Sequence, residues 1–189
     1  ILPFLNKVQD MALASGQAAI DAFPELYQSA LLSYMRTKLG LMEKMDDDAL
    51  LIKDLLKLMH ENQADFTLTF RHLADVVSPK TASGGGVSSL FKLPETFTSW
   101  LERWQQRLSQ SSIGNTERQQ AMYAVNPVYI PRNHLVEEAI VAAEKQQDFA
   151  PFNNLVDILA NPFEFSPANE RYATPPRPEQ VVSQTFCGT

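Results

Sequence analysis

Apolar residues recur along this chain at intervals of three and four, and no segment alternates apolar with polar as a half-buried strand does. The pattern predicts an all-α fold. Phe4, Leu5, Val8, Met11, Ala12, Ala19 and Ile20 suggest a first helix ending near Pro24, which can open the next one. That second helix sets Tyr27, Ala30, Leu31, Tyr34 and Met35 on one face and stops at Gly40, a residue suited to the left-handed helix cap. Asp46, Asp47 and Asp48 precede Leu51, Ile52, Leu55, Leu56 and Met59, and carboxylates there favour the positive end of a third helix. Asp65 is placed to cap a fourth through Phe66, Phe70, Leu73 and Val76. The strongest amphipathic signal follows Pro94, where Phe97, Trp100, Leu101, Trp104 and Leu108 share one stripe. A short helix over 116–125 is broken by Asn126-Pro127. Asn133 then starts a helix whose Leu135, Val136, Ala139 and Ile140 face inward, and Asp148 starts one through Phe152, Leu155, Val156 and Leu159.

The resulting architecture is a multi-helix, bundle-like domain over 1–165. A flexible glycine- and serine-rich loop interrupts it at 78–93, and an extended proline-rich tail follows over 166–189. With 189 residues, one domain is the expectation, and 44% hydrophobic and 20% charged residues are ordinary for a globular core. The formal charge of -6 opposes long-range attraction to nucleic acid or an anionic membrane surface. No apolar run exceeds five residues, as at 139–143, against the ~20 that a membrane-spanning helix needs. Cys187 is the one cysteine, third from the end, so no disulfide can form within the chain and a reducing, cytoplasmic setting is expected. The opening residues lack the basic and apolar regions of a signal peptide, and Ile1 reads as a cut end with sequence missing upstream.

Candidate chemistry is sparse. His60-Glu61-Asn62-Gln63-Ala64 opens like a helical zinc-protease motif but lacks the histidine four residues after His60 that would complete a shared face. His72 and His134 show no ligand-like spacing. Three adjacent carboxylates at Asp46 to Asp48 point in different directions and read as solvated. Asp65-Phe66 and Asp148-Phe149 resemble the start of a kinase metal-binding triplet, but Thr67 and Ala150 stand where glycine is needed, so helix capping explains both. Gly84-Gly85-Gly86 lacks the strand and helix that flank a phosphate cradle. Trp100 and Trp104 fit core or an inter-domain contact better than a base-stacking platform.

Three segments nevertheless carry a resemblance. Tyr34-Met35-Arg36-Thr37-Lys38-Leu39-Gly40-Leu41, Asp65-Phe66-Thr67-Leu68-Thr69-Phe70-Arg71 and Asn126-Pro127-Val128-Tyr129-Ile130-Pro131-Arg132-Asn133-His134-Leu135 resemble, in order and spacing, the C-terminal part of the selenoprotein O family of kinase-like protein adenylyltransferases. Tyr172-Ala173, Pro175-Pro176 and the near-terminal cysteine add to it. Phe186-Cys187-Gly188-Thr189 and Arg177-Pro178 depart from the family pattern at the tail.

The resemblance implies a parent enzyme that transfers AMP from ATP, with magnesium or manganese, to Ser, Thr or Tyr hydroxyls of protein substrates. Its nucleotide-binding and catalytic residues would lie in a kinase-like core upstream. This chain would carry no catalytic, cofactor-binding or metal-binding residue, and would resemble the C-terminal helical region of a kinase-like fold that supports that core. Cys187 would be a possible redox latch to a cysteine of the core. The alternative is a stand-alone helical interaction module offering a groove or the Trp100 and Trp104 face to a protein partner. A hydrolase pairing Cys187 with His134 is a third, weaker reading.

Overall fold

The computed structural model describes residues 9–77 and 86–182. Among them are eight α-helices and no strand: α1 (Gln9–Lys38), α2 (Asp48–Asn62), α3 (Phe66–Leu73), α4 (Pro94–Ser109), α5 (Asn115–Val125), α6 (Asn133–Gln146), α7 (Ala150–Leu159) and the single-turn α8 (Glu170–Ala173). Single 3-10 turns lie at Ala74–Val76, Ser88–Leu90, Pro167–Asn169 and Pro178–Gln180.

The all-α expectation holds, with one merger. The two helices expected on either side of Pro24 are one helix of 30 residues with Pro24 inside it. Proline removes the amide that would pair with the Ile20 carbonyl, but residues 17–31 are all exposed, so solvent can satisfy that carbonyl and the break costs less than it would in a core. The C-terminal end of α1 enters the core through Met35 and Leu39. It stops at Gly40, whose φ of 67° needs the left-handed region. A side chain there would also collide with Arg118 Cγ and Met122 Sδ of α5, each 2.8 Å from an added Cβ.

The main core lies between the end of α1, α2, α3, α4 and α5. Its axis is an aromatic ladder. Phe91 stacks on Phe97 at 4.0 Å between ring centroids, Phe97 on Trp100 at 5.9 Å and Trp100 on Trp104 at 6.0 Å. Each Trp buries about 150–250 Å², roughly 4–6 kcal/mol of transfer free energy. Both indole N–H groups are satisfied, Trp100 donating to Leu51 O at 2.9 Å and Trp104 to Leu39 O at 3.0 Å. The ladder therefore pins α4 to α1 and α2 by direction as well as by area.

Of the segment 78–93, residues 78–85 lie outside the described residues. The described part is anchored to the core by fully buried Val87 and by Phe91, apolar residues four apart in a polar stretch. A second, smaller cluster joins Val128, Tyr129 and Ala173 to Ile158, Leu159 and Tyr172. Here α6 and α7 form a hairpin, and the carbonyl of Pro162 accepts hydrogen bonds from the amides of Val128 and Tyr129 at 2.8 and 3.1 Å. Pro127 forces Asn126 into an extended conformation at φ −111°, ψ 98°, which ends α5 and turns the chain toward this cluster.

Two faces differ from expectation. Tyr27, Leu31 and Tyr34 are exposed, because the core takes the neighbouring face of α1, and Ile140, Phe152 and Val156 are exposed on the α6–α7 hairpin. Periodicity identifies a stripe but does not say whether this chain supplies its cover.

Candidate functional site

The three sequence segments that resemble a known family, far apart in the chain, meet in one place. Asp65 caps α3 by accepting from the Leu68 amide at 2.8 Å, and the same carboxylate accepts from Arg132 Nη1 at 2.7 Å and Nη2 at 3.4 Å. Burial would raise the Asp65 pKa, but the hydrogen bonds from Arg132 and the capped amides outweigh it and hold the carboxyl below its usual value. Arg71 donates through Nη1 to the carbonyls of Asn126 and Phe163 at 3.1 and 3.2 Å, and its guanidinium lies 4.2 Å from the Tyr123 ring centroid. Asn126 Nδ2 in turn donates to Lys38 O at 2.9 Å. The Lys38 ammonium sits over the Phe70 ring at 4.8 Å, and burial lowers its pKa.

A second polar network is fully internal. Asp48 has no exposed surface and accepts from Arg36 Nε at 2.9 Å, Arg107 Nε at 2.7 Å and the Met45 amide at 2.9 Å. Burial would raise its pKa; these donors bring it below the usual carboxylate value. Arg118, 1% exposed, spends its guanidinium on the carbonyls of Gly40, Leu108 and Ile113. Asp46 and Asp47 are exposed, as read from the sequence, whereas Asp48 is not solvated at all. Its role was hidden because Arg107 lies 59 residues away.

A solvent-facing cleft of about 510 Å³ opens beside the junction, lined by Arg71, His72, Asp75, Tyr123, Glu170 and Thr174 among others. His72 Nδ1 is 3.1 Å from Asp75 Oδ2. An ionised carboxylate only accepts, which places the proton on Nδ1. Tyr123 donates its hydroxyl to Asp75 Oδ1. Burial, then the Asp75 hydrogen bond and charge, push the Tyr123 pKa up to about 12, so the phenol stays protonated and acts as a donor. Thr174 turns its hydroxyl onto Glu170 O at 3.1 Å. An oriented imidazole is therefore present without a nucleophile bonded to it among the described residues.

The remaining sequence candidates separate rather than converge. His60 is exposed on α2, and no group of three His, Cys, Asp or Glu side chains able to hold a metal occurs among the described residues. His134 has a buried Nδ1 and a pKa lowered first by burial and then by Arg132. Asp148 accepts from the Ala150 amide at 2.9 Å, but the N-cap position of α7 is Phe149, one residue later than the sequence suggests. Trp100 and Trp104 are 1% and 0% exposed, so they form core, and the notion that they present a face to a partner is overturned. Gly84, Gly85 and Cys187 lie outside the described residues; Gly86 packs against His72, where an added Cβ would lie 3.2 Å from Nδ1. No helix among the described residues is long and apolar enough to cross a membrane.

The family model described as "Protein adenylyltransferase SelO" matches residues 5–160. The chain belongs to the SelO family. Its match takes in all three converging segments, so the Asp65–Arg132 and Arg71–Asn126 links join parts of one family pattern. Among similar proteins, the "Protein nucleotidyltransferase YdiU" of Bradyrhizobium diazoefficiens is 44% identical over all 189 residues. The proteins of the same name from Rhodopseudomonas palustris and Nitrobacter winogradskyi are 43% and 45% identical over the same length. The chain spans 38% of the Bradyrhizobium and Rhodopseudomonas relatives and 37% of the Nitrobacter one.

Proposed function

We propose that this chain is the helical C-terminal portion of a protein adenylyltransferase, and that it supports rather than performs transfer of AMP from ATP to Ser, Thr or Tyr hydroxyls of proteins. The observation that carries the reading is the family match over a chain little more than a third as long as its relatives. The chemistry of the described residues agrees with it. Asp48 and Asp65 are ion-paired, Arg107, Arg118 and Arg132 are spent on internal partners, and each of these groups positions a helix. A kinase-like part outside this chain would supply the nucleotide and metal sites. The parent would work in the cytoplasm, with Cys187 as a redox latch to a thiol of that part.

The test is AMP incorporation, read by intact mass after incubation with ATP and manganese, for this chain and for the full-length protein. Transfer by the full-length protein alone is expected. Nucleotide transfer by the 189-residue chain, or none by either, overturns the proposal. For the latch, Cys187→Ser in the full-length protein should abolish the response of activity to reductant; an unchanged response removes Cys187 from that role.

A further inference from the structure

The cleft beside the junction carries acceptors that the chain leaves unanswered. Much of its lining is apolar: Leu68, Val128, Phe165, Ala173 and Pro175 come from three stretches of chain, and Phe165 is 53% exposed. At about 510 Å³ it falls in the range of ~300–1,000 Å³ usual for small-ligand sites. Arg71, His72, Asp75 and Glu170 supply its charge. Arg71 is engaged, giving Nη1 to the carbonyls of Tyr123, Asn126 and Phe163 while Asp75 opposes its charge. His72 gives Nδ1 to Asp75, which leaves Nε2 as an acceptor with no partner among the described residues. Asp75 accepts from His72 at one oxygen and from Tyr123 at the other, and each oxygen keeps a second lone pair. Glu170 is exposed, and its carboxylate has no hydrogen bond or ion pair among the described residues. The adjacent Arg171 is spent on Glu138, contacting both carboxylate oxygens at 2.6 and 2.8 Å.

Charge decides the ligand. With His72 neutral, one cation, Arg71, stands against two carboxylates, Asp75 and Glu170, so the lining is negative by one charge. The free hydrogen-bonding positions on His72, Asp75 and Glu170 are acceptors. An anion would meet those acceptors and an arginine already turned to three carbonyls, whereas a cation with N–H groups would satisfy them. The apolar lining suits the methylene stem that carries such a head in arginine and lysine. The overall charge of -6 also draws a cation rather than an anion.

We propose that this cleft binds an organic cation on an apolar stem, the chemistry of an arginine or lysine side chain, with Glu170 as its counter-charge and Leu68, Val128 and Phe165 beside the stem. The site uses only residues of this chain and stands whether or not the parent transfers AMP. The test is titration of the full-length protein with the peptide acetyl-Gly-Arg-Gly-amide, followed by saturation-transfer NMR, beside the same peptide with citrulline or glutamate in place of arginine. Citrulline keeps the shape of arginine and loses its charge, and should bind at least about 5-fold more weakly. Glu170→Gln should weaken the arginine peptide by about 3-fold or more and leave the citrulline peptide unchanged, while Glu144→Gln, an exposed carboxylate of α6 outside the cleft, should alter neither. n-Butylguanidinium has the same head and stem without a backbone. Binding equal to the peptide's assigns the site to free cations, tighter peptide binding assigns it to a protein side chain, and either keeps the cation site. Equal affinity for the arginine and citrulline peptides, tighter binding of the glutamate peptide, or no effect of Glu170→Gln overturns it. So does the absence of saturation transfer to the arginine peptide at about 10 mM.

Discussion

Replacing Asp48 by Asn tests the internal charge network most directly. The substitution keeps the shape of the side chain, removes its charge, and puts an amide NH2 where one of two oxygens accepts from guanidinium donors. Arg107 is 7% exposed and Asp48 0%, so the stranded cation cannot reach solvent without moving α4. Breaking a buried pair by removing one partner costs about 3–5 kcal/mol, because the remaining charge is left desolvated and unpaired. For a domain of this size each kcal/mol moves the melting temperature by about 2–4 °C, so the expected fall is roughly 6–20 °C. Urea unfolding followed by circular dichroism should show the same loss with little change in slope. The companion variant Arg107→Met removes the more deeply buried of the two stranded cations and leaves Arg36, whose side chain is 14% exposed. If the pair is coupled as the 2.7 Å contact implies, the double variant will be less damaged than the sum of the singles by about 1–3 kcal/mol. A loss below ~1 kcal/mol for Asp48→Asn, or additivity within about 0.5 kcal/mol, would refute the reasoning.

Other outcomes follow from single contacts. Gly40→Ala should destabilise by about 2 kcal/mol or more, since it combines a positive φ with a 2.8 Å approach to Arg118 and Met122, whereas Gly114→Ser, where a Cβ meets nothing within 4 Å, should stabilise slightly by capping α5; melting curves of the two check the contrast. Alkaline titration followed by tyrosinate absorbance should contain one component near pH 12 that Tyr123→Phe removes. His134 has a folded pKa below 6.5, so the unfolded chain takes up the proton first. Its contribution should be complete above about pH 7 and be lost as pH falls below ~6.5, and His134→Gln should flatten that part of a stability profile. Asp48 and Asp65, also lowered, should contribute fully above about pH 4 and fail below it.

The helices themselves were legible because their signals are local. Asp65 before Phe66, Pro94 opening α4, Gly40 after Lys38 and Asn126-Pro127 after Val125 each act through the backbone of neighbouring residues, and a stripe such as 97, 100, 104 and 108 needs no partner to be seen. The candidate site was legible only as three separated sequence segments. That Asp65 meets Arg132 across 67 residues, that Arg71 reaches Asn126 across 55, and that Asp48 is buried between Arg36 and Arg107 are facts of packing, which depend on how α1 to α5 lie together. Tertiary structure also decided which apolar stripes are core. The α4 stripe is covered by α1 and α2 with both indole N–H groups satisfied, while the stripe of α1 ending at Tyr34, equally regular in sequence, faces solvent. Periodicity records that a face avoids water; what covers it is set by how elements far apart in the sequence pack together.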